Sequence, residues 1–218
     1  MTWNSRENSE SGSAPVFVAL VIAALVIPLW SAISTQGSYA RIQAIQAGET
    51  DPLGHAQRLS EQRHVQNPDE WVATARALYA AMPDQSDLVI SLLQSALEEV
   101  PDQYETWAFL AFVKRQAPDG FTAEVDADLQ RSFAACPYCS KSLIRWRFTF
   151  VLANWEATSE ETRLFAFSGA DFLRWWHLDY DYLEEVRSAA IARNIPFDEY
   201  RRKIDTPARP NEIGLDAD

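Results

Sequence analysis

The sequence predicts an all-α protein: a short stack of helical hairpins, closed by a helical C-terminal cap and preceded by one transmembrane helix. Three observations predict it. Apolar and small residues recur with a step of 36, so that Val89, Leu93, Ala96, Leu97 and Pro101 are matched by Val125, Leu129, Ser132, Phe133 and Pro137. Trp71, Trp107 and Leu143 keep the same step, as do the residues three further on (Thr74, Leu110, Trp146) and four further on (Ala75, Ala111, Arg147). A fixed period of this length, carried at helical spacing, marks stacked helical hairpins. No run alternates apolar and polar residues between turn signals, so no strand is expected. Ala14 to Ile33 form a stretch of twenty residues without a charge, long enough at helical rise to cross a hydrocarbon core of roughly 30 Å.

Residues 1–13 are polar and rich in Ser, Asn and Glu, which predicts a disordered leader. Residues 14–35 are the expected membrane helix, with Pro28 tolerable near its far end and Trp30 where an interfacial aromatic belongs. A cleaved signal peptide is the alternative, because Ser38 and Ala40 offer a small-x-small site before Arg41. The apolar stretch exceeds an h-region of about 7 to 15 residues, and Arg6 is offset by Glu7 and Glu10. Arg6 and the free amine against Arg41 nearly balance for orientation. The simplest arrangement is an anchor with a cytoplasmic N-terminus and the C-terminal domain outside, periplasmic in a bacterium.

Residues 36–66 read as a stalk with helical segments: Asp51-Pro52-Leu53-Gly54 is a turn and about 56–66 a polar helix. Residues 67–168 hold the repeats. Their helices are expected at 69–82, 86–100, 103–116, 122–135 and from Pro137 to about 155, with a shorter return segment near 159–167. After Ser168-Gly169 the period is lost, and 169–205 is expected to cap the stack through helices at 170–177, 179–194 and 197–205. Residues 206–218 form a polar, Pro-containing tail.

Nineteen basic residues against 31 acidic ones give a formal net charge of -12, which opposes binding to nucleic acid and to an anionic membrane surface. Two cysteines cannot make a disulfide framework, and the remaining length can bury a core without one. No metal or cofactor is expected, since His55, His64 and His177 lack paired ligand spacing. No small-molecule substrate is inferred.

With Trp107, Leu110 and Ala111 on a first helix, Leu129, Ser132 and Phe133 on a second and Pro137 closing, the hairpins resemble tetratricopeptide repeats over roughly residues 69–155. Lys114 stands where that family usually has an aromatic, and Arg147 replaces a small residue in the third unit. In that family the first helices line a groove that receives a peptide or partner helix. The resemblance puts Arg76, Tyr79, Phe112, Arg115, Lys141, Ile144 and Phe148 on the inner wall. The apolar members are also candidates for the core, whereas burial would not explain the charged ones.

Cys136-Pro137-Tyr138-Cys139 resembles the active-site tetrapeptide of glutaredoxins. A cysteine at an N-cap with Pro at the first helical position would favour its thiolate. That fold needs a strand entering the motif, and a helix is expected there instead. Cys136 and Cys139 could also form a structural disulfide outside the cytoplasm. Lys141, Arg145 and Arg147 crowd one helix, while Asp84, Asp87, Glu98, Glu99, Asp102 and Glu105 form an acidic stretch. The two regions could neutralise one another, or Lys141 and Arg145 could dock an acidic partner segment. Among Phe172, Trp175, Trp176, His177, Tyr180 and Tyr182, several are expected to fill the junction between stack and cap, leaving one or two exposed.

These readings lead to a membrane-anchored scaffold or assembly factor that binds protein partners, as part of a membrane or envelope complex. Its resemblance extends to the anchored repeat proteins of cytochrome c maturation and of envelope polysaccharide assembly. The alternative is an anchored thiol-disulfide oxidoreductase working through Cys136 and Cys139.

Overall fold

The computed structural model describes residues 40–62 and 67–205. The stretch from Ala14 to Ile33, the leader and the tail lie outside these residues. Among the described residues no helix is long and apolar enough to cross a membrane, and none forms a strand.

The chain divides into two compact units after Asp51. In the first, residues 40–46 are helical and stop at Gly48, whose φ of +72° suits glycine. The Glu49 N–H then donates to the Ala44 carbonyl at 2.9 Å.

The second unit is built of helices: α1 (Pro52–Ser60), α2 (Pro68–Ala81), α3 (Ser86–Glu99), α4 (Tyr104–Gln116), α5 (Ala123–Ala135), α6 (Lys141–Ala153), α7 (Glu160–Trp176), α8 (Tyr180–Ala192) and α9 (Phe197–Asp205). Pairs α2/α3, α4/α5 and α6/α7 pack as successive hairpins, with α3 also against α4 and α5 against α7. This arrangement is compatible with a helical repeat fold. Repeat-related residues on the second helices are buried alike: Val89 with Val125, Leu93 with Leu129, Ala96 with Ser132, Leu97 with Phe133. The 36-residue period therefore reports positions that face the same packing environment in consecutive hairpins.

Three local features differ from the sequence reading. Pro52 opens α1 instead of turning the chain before it, because a first-turn residue needs no N–H and proline's φ already suits a helix. The third hairpin starts at Lys141, not Pro137, since the Ser140 hydroxyl caps it by accepting from the Leu143 N–H at 3.2 Å. Helix α7 runs unbroken through Ser168 and Gly169 for 17 residues. Gly169 serves close packing there: a Cβ on it would lie 3.0 Å from Ile144 Cγ2.

The cores of the early and late hairpins meet at α4. Leu110 and Val113 belong to the layer with Leu78, Leu92 and Leu93, while Ala111 belongs to the layer with Phe148, Phe167 and Phe197. Lys114, unusual at its repeat position, holds the hairpin α4/α5 together. Its ammonium lies 2.8 Å from the buried Asp128, which also receives Arg131 at 2.8 Å.

Arg147 occupies the position held by Ala75 and Ala111 in the earlier units, and like them it is fully buried. Its guanidinium donates to the Cys136 carbonyl at 2.7 Å, the Ser132 carbonyl at 2.5 Å and the Ser132 hydroxyl at 2.8 Å. It also lies 5.0 Å over the Phe133 ring. Burial lowers its pKa to about 10, so it remains a cation at neutral pH, with the carbonyl end of α5 as its counter-charge. Replacing Arg147 with Ala should cost about 3 kcal/mol, through a cavity and stranded acceptors. Urea unfolding would check this, and Arg147→Met, which keeps much of the volume, should recover part of the loss.

Candidate functional site

Tyr79 on α2, Phe109 and Phe112 on α4, and Trp146 and Phe150 on α6 form a continuous series of ring contacts across the first helices of the three hairpins. The Tyr79 ring meets Phe109 and Phe112 edge-on, both at 5.8 Å. Phe112 meets Trp146 edge-on at 6.4 Å, and Trp146 stacks on Phe150 at 4.8 Å. Phe121 extends the series, 6.1 Å from Phe150. Tyr79, Phe109, Phe112, Phe121 and Trp146 are only partly buried. Each therefore keeps ring surface available while its neighbours restrict its rotamers, an arrangement that binds at low entropic cost.

Charges flank this ridge. Arg76 lies 5.7 Å over the Phe109 ring and 3.4 Å from Glu105. Arg115 is partly buried and donates through Nε to Asn154 Oδ1, the residue that ends α6. Of the expected inner-wall residues, Arg76, Tyr79 and Phe112 thus meet around Phe109, while Arg115 is engaged by Asn154.

Ile144 and Phe148 do not join them, for both are buried. The ring of Phe148 meets Phe167 at 5.2 Å and Phe197 at 6.0 Å, so α7 and α9 cover the third unit where the earlier units stay open. The repeat counterparts of Ile144, Val72 and Ala108, are buried too, a signal available in the sequence. Conversely, Phe109 and Trp146 emerge as ridge residues. Trp146 corresponds to the buried Thr74 and Leu110 but is partly exposed, since a slot that fits Thr or Leu does not admit an indole.

Lys141 and Arg145 are engaged within the domain by Asp179, not by the acidic stretch. Lys141 Nζ is 3.1 Å from Asp179, and Arg145 grips the same carboxylate through Nε and Nη2. The Tyr182 hydroxyl donates to the Arg145 carbonyl at 2.9 Å. The guanidinium of Arg145 holds the Asp179 carboxyl below its ordinary range, helped by Lys141 and opposed by burial.

Cys136 and Cys139 are joined as a disulfide. Cys136 caps the C-terminus of α5, so it stands at the carbonyl end of one helix rather than at the amide end of the next, where a thiolate is favoured. Tyr138 between the cysteines stacks on Phe172 at 4.6 Å and shares a hydrogen bond with Ser168.

The aromatic cluster at the end of α7 is more exposed than expected. Trp175, Trp176 and Tyr180 are 61%, 75% and 52% exposed, while Tyr182 alone reaches back across to α6 at Thr149 and Arg145. The reason is the chain reversal at Leu178, which has φ +50° and is itself 64% exposed. There the N–H groups of His177 and Asp179 both donate to the Leu173 carbonyl at 3.2 Å, a helix end that ordinarily takes glycine. The corresponding end of α8 uses Asn194 at φ +60°, a residue that tolerates this conformation.

Leu178→Gly should therefore raise stability by roughly 1 kcal/mol, measured as a higher urea midpoint at unchanged slope. Because the folded Asp179 pKa is depressed, its stabilisation is complete above the unfolded value near 4 and is lost as pH falls through the lower folded value. The stability advantage of the native chain over Asp179→Asn should shrink as pH is lowered below about 4, followed by unfolding at each pH.

A scan against protein-family models gives no match to the chain, and comparisons with curated proteins and with solved structures give none either.

Proposed function

We propose that the protein is a membrane-anchored interaction scaffold or assembly factor, whose tetratricopeptide-like hairpins bind a segment of a partner protein along the aromatic ridge. The observation that carries this reading is the run of part-exposed rings crossing three successive first helices. Rigid aromatic anchors flanked by arginines are the residue types that dominate protein interfaces. Stacked hairpins provide extended surfaces of this kind. Anchoring rests on the uncharged run from Ala14 to Ile33; in the proposed orientation the helical unit lies outside the cytoplasm, where the Cys136–Cys139 disulfide would persist. Its setting would be the assembly of a membrane or envelope complex, such as cytochrome maturation.

The test is recovery of partners from native membranes in mild detergent with the tagged full chain and with Tyr79→Ala/Trp146→Ala. The double variant should keep its helical circular dichroism and lose at least tenfold in capture of the proteins held by the native chain. Equal capture would overturn the ridge as the binding surface. Cys136→Ser/Cys139→Ser should capture the same proteins. Loss in that variant alone, with folding intact, would move the function to sulfur chemistry.

A further inference from the structure

The end of α7 and the turn after it carry an apolar patch that the partner-binding reading does not use. Tyr138 stacks on Phe172 at 4.6 Å, and Phe172 stacks on Trp176 at 5.9 Å. Trp175 has the Arg174 guanidinium 4.9 Å from its ring. Trp175, Trp176, Leu178 and Tyr180 are each more than half exposed. Large apolar side chains exposed together mark a contact surface.

Leu178 points the same way. Its φ of +50° costs a residue with a side chain energy that glycine would not lose. Its side chain is exposed, so burial within the domain does not offset that cost. Local strain without a return inside the fold directs attention to a role outside it.

Residue chemistry and the tether identify the occupant. Trp and Tyr are the side chains that settle at the headgroup level of a bilayer, and Leu reaches the acyl boundary below it. Residues 34–51 join the uncharged run that ends at Ile33 to the helical unit that starts at Pro52. Even fully extended they span at most about 60 Å. A tether this short keeps the patch within reach of the bilayer at high effective concentration, so a weak contact suffices. Charge does not drive that contact. Asp179 in the turn is paired with Lys141 and Arg145, Asp181 is exposed, and a net charge of -12 opposes anionic headgroups. The attraction is apolar and aromatic, which suits zwitterionic lipid.

We propose that the patch at the turn between α7 and α8 rests on the bilayer surface, with Trp175, Trp176 and Tyr180 among the headgroups and Leu178 at the acyl boundary. This inference rests on the anchoring proposed above. It gives the helical unit a second, reversible attachment to the membrane that carries it.

The experiment uses the full chain with Trp3→Phe/Trp30→Phe, so that every remaining tryptophan belongs to the helical unit. It is reconstituted in phosphatidylcholine vesicles with and without bromine on the upper acyl chains. Bromolipid should quench the tryptophan emission. Adding Trp175→Ser/Trp176→Ser should reduce the quenched fraction at least threefold without lowering the melting temperature, because both rings are exposed. Leu178→Gly should also reduce quenching although it raises stability, which separates lost lipid contact from lost fold. Quenching that persists in the double serine variant would place the contact on another face and overturn the proposal. Rings protected from bromolipid in dimers that the double variant dissociates would assign the patch to a second copy of the chain, with the same consequence. Alkaline carbonate distinguishes failure of the anchor from failure of the docking. A chain released from the vesicles is not anchored, which removes the tether and this inference with it. A chain retained but unquenched leaves the anchor standing and overturns the docking alone.

Discussion

The late half of the domain depends on a buried guanidinium whose hydrogen bonds end on carbonyl and hydroxyl oxygens, with Glu105 acting on it only through its charge. Arg147 comes from the first helix of the third hairpin, yet its hydrogen bonds end on the second helix of the one before it. The Ser132 hydroxyl that it contacts donates in turn to the Tyr104 carbonyl at 2.5 Å, at the start of α4. One side chain therefore ties the entry of α4, the exit of α5 and the middle of α6. The hydrogen bonds are possible because carbonyls in the last turn of α5 keep accepting capacity: that of Ser132 takes the Cys136 N–H at 3.4 Å as well as the guanidinium. The cation is tolerable because those carbonyls carry the negative end of the helix dipole. Ala75 and Ala111 achieve the same packing by being small. Arg147 achieves it by making the junction polar and directional.

Packing periodicity explains what the sequence could disclose. The paired series from Val89 and Val125 onward is buried in register, and a repeat visible in one dimension followed from equal environments in three. Helix limits were legible wherever a proline or an apolar stripe ended. They misled where one residue type served two purposes. Proline both closes and opens helices, so Pro52 and Pro137 were ambiguous without knowing what caps the next turn. Glycine both breaks helices and admits close neighbours, so Gly169 looked like a boundary when it was a contact with Ile144.

The candidate surface was less legible, since exposure depends on what a later part of the chain covers. Arg76, Phe112 and Phe148 hold one repeat position, and they run from exposed through half-buried to buried. Its last step comes from α7 and α9, which cover Phe148 and which the period cannot foresee. Phe109 and Trp146 lay hidden in the sequence for the opposite reason: aromatic residues at helical spacing ordinarily signal core. Charge was equally indirect. Lys141 and Arg145 stood out as unpaired in sequence, but their counter-ion is Asp179, 34 residues beyond Arg145.

The covering of Phe148 by Phe167 and Phe197 gives the array a definite last unit. A fourth hairpin could not be added behind α7 by duplication alone, because the α9 residues that seal the third would have to be displaced first. The ridge is accordingly a surface of fixed length. If the ridge binds a partner as proposed, variation in what it recognises would come from changing rings within three hairpins, not from lengthening the array, and a longer partner segment would have to leave the surface at α6.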